Sequence, residues 1–208
     1  MNPRDWYKNC GDSIREEFGS DSELFIDLLA ATSPRKQVAA NWRLAMRIYH
    51  VWNDVGVHKD WFFRCSACLA KGKHYPVDSD FILLRDNLFA GTLPAHRKNI
   101  MRALKREPLS GNKVRAFAAN LKGNLDEVTI DVWVCRFFEW DDKKSMTDKV
   151  YAERANYIRL LANVKNMKPA EYQAEIWYRA IHRAGKKPQS YLSVKYRHQR
   201  CFEFFLGV

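Results

Sequence analysis

The spacing of apolar residues between Val38 and Trp52 is the feature that most restricts how this chain can fold. Apolar or aromatic residues occupy positions 38, 42, 45, 49 and 52, in alternating steps of four and three. This period places them on one face of an α-helix, and such a face must be buried against other elements. We expect the helix to begin near Pro34, because proline suits a first helical turn, and to end at Gly56. The chain should therefore build its core from packed helices.

The segment before this helix is almost entirely apolar. Leu24–Ala31 is preceded by Ser20, Asp21 and Ser22, all good N-cap residues, and is followed by Ser33-Pro34. A short helix with so few polar positions has no face suited to water. We therefore expect a buried helix that ends at the Ser-Pro turn.

Helical patterns also dominate the second half of the chain. The expected helices cover Pro94–Lys105, Val114–Leu121 with Gly123 as its stop, and residues 131–139, 151–162 and 169–185. The pattern of 131–139 fits a strand equally well, and its helical neighbours favour a helix. Residues 57–95 lack a clear period, which predicts an irregular connection with short helices near Phe81–Leu84. The expected fold class is all-α, a compact multi-helix domain that could have two lobes.

Length and composition indicate a globular chain. Of its 208 residues 47% are hydrophobic, and no apolar run approaches the roughly 20 residues that span a bilayer. We expect one domain over residues 1–208, with its core at about 20–185 and a basic, aromatic tail at 186–208. Phe202–Leu206 is too apolar to stay in water, so we expect the tail to dock on the core. The N-terminus lacks the hydrophobic segment of a secretory signal, so we expect a cytoplasmic protein without a membrane partner.

The net charge is strongly positive. Lys and Arg number 35 against 24 Asp and Glu, giving +11 and a pI near 9.5. Such a balance is typical of proteins that bind phosphate backbones, so DNA is the expected partner. Anionic membranes and acidic proteins attract the same charge, and a basic surface can also serve solubility alone.

The five cysteines do not form a pattern typical of a disulfide-rich protein. They stand at 10, 65, 68, 135 and 201, an odd number in a chain expected in a reducing compartment. Cys65 and Cys68 form one Cys-x-x-Cys with His74 nearby, a weak candidate for a zinc site that lacks an evident fourth ligand. Two partly buried thiols in an irregular segment is the simpler interpretation, and we expect no metal.

A lysine and an aspartate stand in positions that suggest chemistry. Lys113 follows Gly111 in a turn that opens an amphipathic segment, and Asp131 begins a second apolar segment eighteen positions later. Lysine is the side chain of Schiff-base chemistry, and a neighbouring carboxylate can position or activate it. In a basic protein this pair suggests an enzyme that acts on a nucleic-acid base. The alternative is a turn lysine and a helix-capping aspartate.

The order of these motifs resembles the helix-hairpin-helix DNA glycosylase superfamily. There a Leu-Pro-Gly-x-Gly-x-Lys-x-Ala segment forms a hairpin, and a Val-Asp motif about twenty residues later supplies the catalytic aspartate. The likeness to small glycosylase-like proteins of phages and prophages is greater and covers roughly residues 20 to 180. Its motifs are Ser33-Pro34-Arg35 with Asn41, Ser110–Phe117, Gly123, Ile130–Trp133 and Gln173–Trp177.

The resemblance implies a role for each matching residue. Lys113 would be the amine nucleophile and Asp131 the essential carboxylate. Phosphate contacts would come from Gly111, Asn112, Arg115 and Lys122, and the pocket for a flipped base from Ser33, Asn41, Trp133, Gln173 and Trp177. The hairpin is two residues shorter than the family form and lacks its second glycine, so fewer backbone amides would face a phosphate. No four-cysteine cluster follows the aspartate, so we expect no iron–sulfur cluster and no other cofactor.

Simpler roles remain open for several of these side chains. Trp133 and Trp177 could pack in the core, as we expect of Trp42 and Trp52. Asn41 and Gln173 could join helices through hydrogen bonds.

Three functions fit the sequence. The first is an N-glycosylase, with possible lyase activity, that acts on a flipped modified base. The second, suggested by phage relatives of the superfamily, is a DNA hypermodification enzyme that couples an amine or amino acid to an activated hydroxymethyl pyrimidine. Such an enzyme would need Asp131 but not Lys113 as a nucleophile. The third is a non-catalytic DNA-binding module, for which Asp131 would not matter.

Overall fold

A nearly all-buried helix lies at the centre of the fold. The computed structural model describes residues 2–54, 59–70, 79–142 and 146–193. Its helices are α1 (Trp6–Phe18), α2 (Ser22–Thr32), α3 (Val38–Asp54), α4 (Lys59–Ala70), α5 (Ser79–Phe89), α6 (Pro94–Leu104), α7 (Asn112–Leu121), α8 (Val132–Phe137), α9 (Asp148–Val164) and α10 (Pro169–Arg183). These described ranges contain no strand. The all-α fold class and the buried helix after Ser22 are confirmed, with α1, α3, α6 and α7 packed around α2.

The helix carrying the 38–52 pattern is present, but its predicted start was wrong. It begins at Val38 rather than near Pro34. Arg35 adopts a left-handed backbone conformation (φ 58°), which ends the helical path between Pro34 and Val38. Trp42 and Trp52 are 2% and 3% exposed, so both pack in the core as expected. The predicted stop at Gly56 lies outside the described residues.

The segment after α3 is more helical than the sequence indicated. Described residues between 59 and 89 form α4 and α5, where an irregular connection was predicted. The fully buried side chains of Phe62 and Phe81 bring the two helices together, with ring centroids 5.4 Å apart. Packing of aromatic side chains thus outweighed the weak local pattern.

Helices α6 and α7 are joined by a short loop that is hydrogen-bonded to an asparagine of α6. The Asn99 side chain accepts from the Ser110 backbone N–H at 2.8 Å and donates to the Ser110 carbonyl at 2.9 Å. Gly111 follows with φ 87°, a conformation that favours glycine, and α7 begins at the next residue. The α7 stop is as predicted, with Gly123 at φ 102°.

The C-terminal helices of the described region form a second apolar cluster. Val128, Ile130, Val134, Ile158 and Ile176 are buried together where α8, α9 and α10 meet. The larger cluster is built on α1 to α7, with parts of α10 packed against it. Helix α10 therefore lies between the two clusters.

One glycine sets the distance between α1 and α7. A Cβ atom at Gly11 would lie 2.3 Å from the backbone oxygen of Leu121, closer than real Cβ contacts come. Only glycine allows the two helices this approach. The first turn of α1 and the first turn of α7 both reach the cavity described below.

None of the described helices has the length and apolar composition needed to cross a bilayer. Phe202–Leu206 and the rest of the tail after Ser193 lie outside the described residues.

Candidate active site

A cavity of about 870 Å³ lies between the two apolar clusters. Its wall includes every residue proposed from the sequence as catalytic or as part of a base pocket. These are Ser33, Asn41, Lys113, Asp131, Trp133, Gln173 and Trp177. They come from the α2–α3 turn and from α3, α7, α8 and α10, so the fold gathers positions that are far apart in the sequence.

Lys113 lies in the first turn of α7 and points into the cavity. The Gly111 conformation starts the helix, and two residues later the lysine side chain reaches the turn after α2. Its Nζ donates to the Ser33 hydroxyl at 3.1 Å and lies 5.9 Å from the centre of the Phe117 ring. Burial lowers the pKa of Lys113, and the nearby Asp131 carboxylate opposes that shift. At a given pH a larger fraction of Lys113 is therefore in the neutral, nucleophilic form than for an exposed lysine.

Asp131 caps α8 and faces the same cavity. Its Oδ1 accepts from the backbone N–H groups of Trp133 and Val134 at 2.9 and 3.0 Å. Burial raises the pKa of Asp131 above its usual range, while Lys113 and the two backbone N–H groups work in the opposite direction. A catalytic role and a helix-capping role were alternatives for Asp131 in the sequence, and the structure is compatible with both. Oδ1 caps α8, and the residue lies in the wall of the cavity.

The Ser33–Pro34 turn is held in place by a buried histidine. His96 is fully buried at the start of α6, and its Nδ1 accepts from the Leu93 backbone N–H at 3.2 Å. Its Nε2 lies 2.9 Å from the Pro34 carbonyl oxygen, so Nε2–H donates there and the ring is neutral. Burial lowers the pKa of His96. This contact fixes the turn that carries the partner of Lys113.

Two tryptophans contribute to the cavity wall from different helices. Trp133 of α8 is partly buried, with the Arg136 guanidinium 5.0 Å and the Lys186 ammonium 5.3 Å from its ring centre. Trp177 of α10 packs on Trp6, with ring centroids 5.7 Å apart, and its indole helps to stabilise the Asp131 carboxylate. Trp177 combines packing on the larger apolar cluster with a surface on the cavity, whereas Trp133 lies in the cavity wall outside both clusters.

The two amide side chains differ in what they can offer a ligand. The Asn41 amide nitrogen donates to the Leu29 carbonyl and the Tyr191 hydroxyl, and its oxygen accepts from Thr32. Asn41 thus joins helices, the simpler of its two sequence interpretations. The Gln173 oxygen accepts from the Tyr7 hydroxyl at 2.7 Å, and among the described residues its amide nitrogen has no hydrogen-bond partner.

The residues proposed for phosphate contact lie outside the cavity wall. At the start of α7, exposed Gly111 precedes Asn112, whose amide donates to Asp148 at 2.8 Å and whose oxygen accepts from Arg115. No side chain caps this helix start within the described residues. Lys122 lies at the other end of α7 and pairs with Asp27 at 2.9 Å. The first three residues form one group beside Lys113, and Lys122 is separate from it.

Sequence reasoning missed a basic rim around the cavity. Arg35, Lys36, Lys186 and Lys187 line it together with Asp141 and Asp142, and Asp142 pairs with Arg136 at 2.8 Å. It also missed Trp6, Tyr7 and Gln189 in the wall. The apolar spacing of Trp6, Cys10 and Ile14 would have revealed α1, but no local signal places that helix at the cavity.

The cysteine motif lies on a helix rather than in the irregular segment that we predicted. Cys65 and Cys68 are three residues apart on α4, the first buried and the second partly buried. Within the described residues no group of His, Cys, Asp and Glu has the arrangement of a metal site. His74 and Cys201 lie outside the described residues.

Comparison with known proteins adds one similarity. Residues 83–184 match the model of a family of unknown function, DUF7178. The matched segment contains Lys113, Asp131, Trp133, Gln173 and Trp177 but not Ser33 or α1. Neither a curated protein nor a solved structure matches the chain.

Proposed function

We propose that this protein is a DNA-base-directed enzyme, most simply an N-glycosylase with lyase activity that acts on a flipped, modified base. The observation that carries the proposal is the meeting of Lys113 and Asp131 in one aromatic-lined cavity with a basic rim. A partly buried amine with a lowered pKa, in the same cavity as a carboxylate with a raised pKa, is a combination that favours nucleophilic chemistry. The resemblance to helix-hairpin-helix glycosylases points to the same two residues.

The reaction would run through the sugar carbon C1′. The neutral Lys113 amine attacks C1′ as the bond to the base nitrogen breaks, and the base leaves with that electron pair and takes up a proton. The Asp131 carboxylate stabilises positive charge that develops on the sugar and accepts the proton released from the attacking nitrogen. The nitrogen lone pair then forms the C1′=N bond of the Schiff base as the C1′–O4′ bond breaks, and O4′ takes up the proton held by Asp131. Ser33 positions the amine before attack.

DNA would bind over the basic rim, with the target base inside the cavity. Extruding a base costs a few kcal/mol, and stacking on an aromatic side chain returns about 1–3 kcal/mol. Trp133 and Trp177 offer such surfaces. Arg35, Lys186 and Lys187 would meet phosphates, together with the start of α7 at Gly111 and Asn112. We place this activity in the cytoplasm, that of a bacterial host if the chain is phage-encoded.

The test is borohydride trapping on duplexes that carry uracil, 5-hydroxymethyluracil, oxidised purines or an abasic site. A covalent adduct that disappears in Lys113→Gln supports Schiff-base chemistry. Absence of an adduct and of base release on every substrate would refute the glycosylase. Salt-sensitive DNA binding that is unchanged in Asp131→Asn would then indicate a binding module.

The cavity volume favours one further candidate, DNA hypermodification. A single base fills only part of about 870 Å³, which leaves room for an amine or amino acid beside a hydroxymethyl pyrimidine. The amine nitrogen would attack the methylene carbon of the activated hydroxymethyl group, and the C–O bond to the activating group would break, with its electron pair going to the leaving oxygen. Asp131 would take the proton from the attacking nitrogen, and the glycosidic bond would stay intact. Mass spectrometry of nucleosides from DNA with an activated hydroxymethyl group separates the two: free base supports the glycosylase, a heavier nucleoside the coupling enzyme.

A further inference from the structure

The solvent side of α6 carries positive charge alone. Residues 94–106 contain five Lys and Arg residues and no Asp or Glu, in a chain whose net charge is +11. The last of the five, Arg106, pairs with Asp21 at 3.1 Å. The other four form no ion pair with the acidic side chains that the structure describes, and together they are termed the α6 basic face: Arg97, Lys98, Arg102 and Lys105.

Other helices of the same protein balance their exposed cations with acids. Helices α1 and α10 each place an acid four residues from a cation and form the ion pair. On α6 the corresponding neighbours are cations, because Lys98 stands four residues before Arg102 and Arg102 three before Lys105. Like charges at these spacings repel and destabilise a helix. A face that only meets water gains nothing from this repulsion, whereas a bound polyanion would relieve it.

The α6 basic face begins at the edge of the cavity. Lys36 of the basic rim donates to the Gly91 carbonyl at 3.2 Å, shortly before α6 starts. The His96 ring, in the first turn of α6, lies 2.9 Å from the Pro34 carbonyl oxygen. These contacts join the rim to the first turn of α6. The four cations themselves are not in the cavity wall, so the face extends the positive charge of the rim away from the cavity.

The length of the face fits a run of phosphates. From Arg97 to Lys105 a helix rises about 12 Å, at about 1.5 Å per residue. One strand of a duplex has a phosphate about every 3.4 Å along the axis, so this length spans about three or four of them. The Arg97 and Lys105 side chains lie over the rings of Phe89 and Phe63, 5.6 and 5.4 Å from the ring centres. These ring contacts reduce the side-chain freedom that binding would remove.

We infer that the α6 basic face binds the phosphate backbone of a DNA duplex, along the arm that leads away from the nucleotide in the cavity. The inference rests on the proposed base-directed function and names a second DNA contact, outside the cavity. The rim holds the phosphates nearest the target base, and α6 holds the adjoining arm. Because phosphates carry this contact, it is independent of base sequence and weakens as salt is added.

The test compares two double variants that each remove two exposed lysines. Lys98→Gln with Lys105→Gln changes α6, and Lys149→Gln with Lys165→Gln removes the same charge from α9 and the residue after its end. Binding to a duplex with one central 5-hydroxymethyluracil is measured between about 50 and 200 mM salt. We expect the α6 variant to lower the slope of log affinity against log salt by about 0.9 per lost phosphate contact, up to about 1.8, and the α9 variant to leave it unchanged. The thermal midpoint of the α6 variant should not fall below that of the wild type, since less charge repulsion remains along the helix.

A second measurement locates the contact on the DNA. The duplex is shortened on one side of the target and then on the other, from about 10 base pairs, one turn, to about 3. Shortening the arm that α6 holds should weaken binding of the wild type but not of the α6 variant, which has already lost that contact. Shortening the opposite arm should change the affinity of both proteins equally.

Equal salt slopes for the two double variants overturn the inference, and so does an α6 variant that responds to both shortenings as the wild type does. Weaker binding of the α6 variant to phosphatidylserine vesicles, with DNA binding unchanged, assigns the face to an anionic membrane and also overturns it. In these cases an adduct trapped with the wild type leaves the base-directed enzyme standing. A wild type that yields no adduct, free base or heavier nucleoside, while the α6 variant still loses salt slope, refutes the enzyme and keeps the α6 contact.

Discussion

The Lys113 ammonium group donates a 3.1 Å hydrogen bond to the Ser33 hydroxyl, across 80 residues of sequence. The contact joins the first turn of α7 to the turn that follows α2, and it holds the amine in the cavity next to Asp131. Ser33 itself donates to the Ala30 carbonyl at 2.9 Å, which leaves its lone pairs to the lysine. A lysine that is held in this way has little side-chain freedom left before a substrate arrives.

Replacing the lysine should remove covalent chemistry without unfolding the protein. We expect Lys113→Gln to form no borohydride-trapped adduct, because no amine remains to form a Schiff base. Its thermal midpoint should stay near that of the wild type, since the side chain is only partly buried and glutamine can still donate to Ser33. Lys165→Gln, an exposed change outside the cavity, is the control and should retain the adduct. An adduct that survives Lys113→Gln would assign the chemistry to another amine.

Two substitutions of Asp131 should separate helix capping from catalysis. Asparagine can accept the N–H groups of Trp133 and Val134 as aspartate does, whereas alanine cannot. We expect Asp131→Ala to be about 1 kcal/mol less stable than Asp131→Asn in chemical denaturation, and both to be inactive. Activity in Asp131→Asn would show that the carboxylate serves the helix alone.

The rate of adduct formation should increase with pH. Attack requires the Asp131 carboxylate and the neutral Lys113 amine. Burial raises the pKa of Asp131, so its carboxylate form becomes protonated at a higher pH than the usual value of about 3.9. Burial lowers the pKa of Lys113, so the amine becomes available below the usual value of about 10.4. Single-turnover rates between about pH 4 and pH 10 should therefore decrease on the acid side at pH values above about 4 and reach a plateau before about pH 10. A profile that still follows an ordinary lysine would contradict the burial argument.

His96 should make folding stability depend on pH. The folded state holds this ring neutral, with a lowered pKa, between the Leu93 N–H and the Pro34 carbonyl. The contribution of His96 to the free energy of unfolding is therefore complete above the unfolded-state pKa of about 6.5. It decreases as the pH falls through the lower folded-state value. We expect His96→Gln to be less stable than the wild type at about pH 8, with a smaller difference at about pH 5, in urea denaturation. His50→Gln, at an exposed position of α3, should show no such trend.

The rim lysines should control the salt dependence of DNA binding. Lys186 and Lys187 line the mouth of the cavity and are exposed. Replacing both by glutamine should reduce the slope of log affinity against log salt by about 0.9 for each phosphate that is no longer neutralised. Exposed Lys149 and Lys165 provide a matched double replacement on the surface of α9 and beyond its end. Equal slopes for the two double variants would remove the rim from the DNA-binding surface.

Several helices were predictable, and so was the presence of Lys113 and Asp131 in one site. Period and caps identify α2, α6 and α10 from local sequence, because each has one clear apolar pattern and a stop. The start of α3 was not predictable from Pro34, because Arg35 has a left-handed backbone conformation. That conformation is rare for residues other than glycine, and an arginine in the sequence does not indicate it. Helix α4 depends on aromatic contacts with Trp52 of α3 and Phe81 of α5, which lie on other helices and leave no mark in the α4 sequence itself.

The sequence predicted several functional side chains of the candidate site, but it did not predict the other residues that line the cavity. Motif order identified Lys113, Asp131, Trp133 and Gln173, all of which line the cavity. Tyr7 and Gln189 are separated from them by long stretches of sequence and come close only through the packing of α1 against α10. Three-dimensional contact, rather than residue type, makes them part of the site.

The close approach of α1 to α7 at Gly11 has a consequence for natural variation in this chain. An alanine there would act as a wedge, since its methyl group would meet the Leu121 carbonyl at 2.3 Å. Helix α1, which bears Tyr7, and helix α7, which bears Lys113, would then move apart. A substitution at position 11 would therefore reduce activity as a change of a catalytic residue does, although every catalytic residue is still present. The distance between the two helix backbones is thus a requirement of the site.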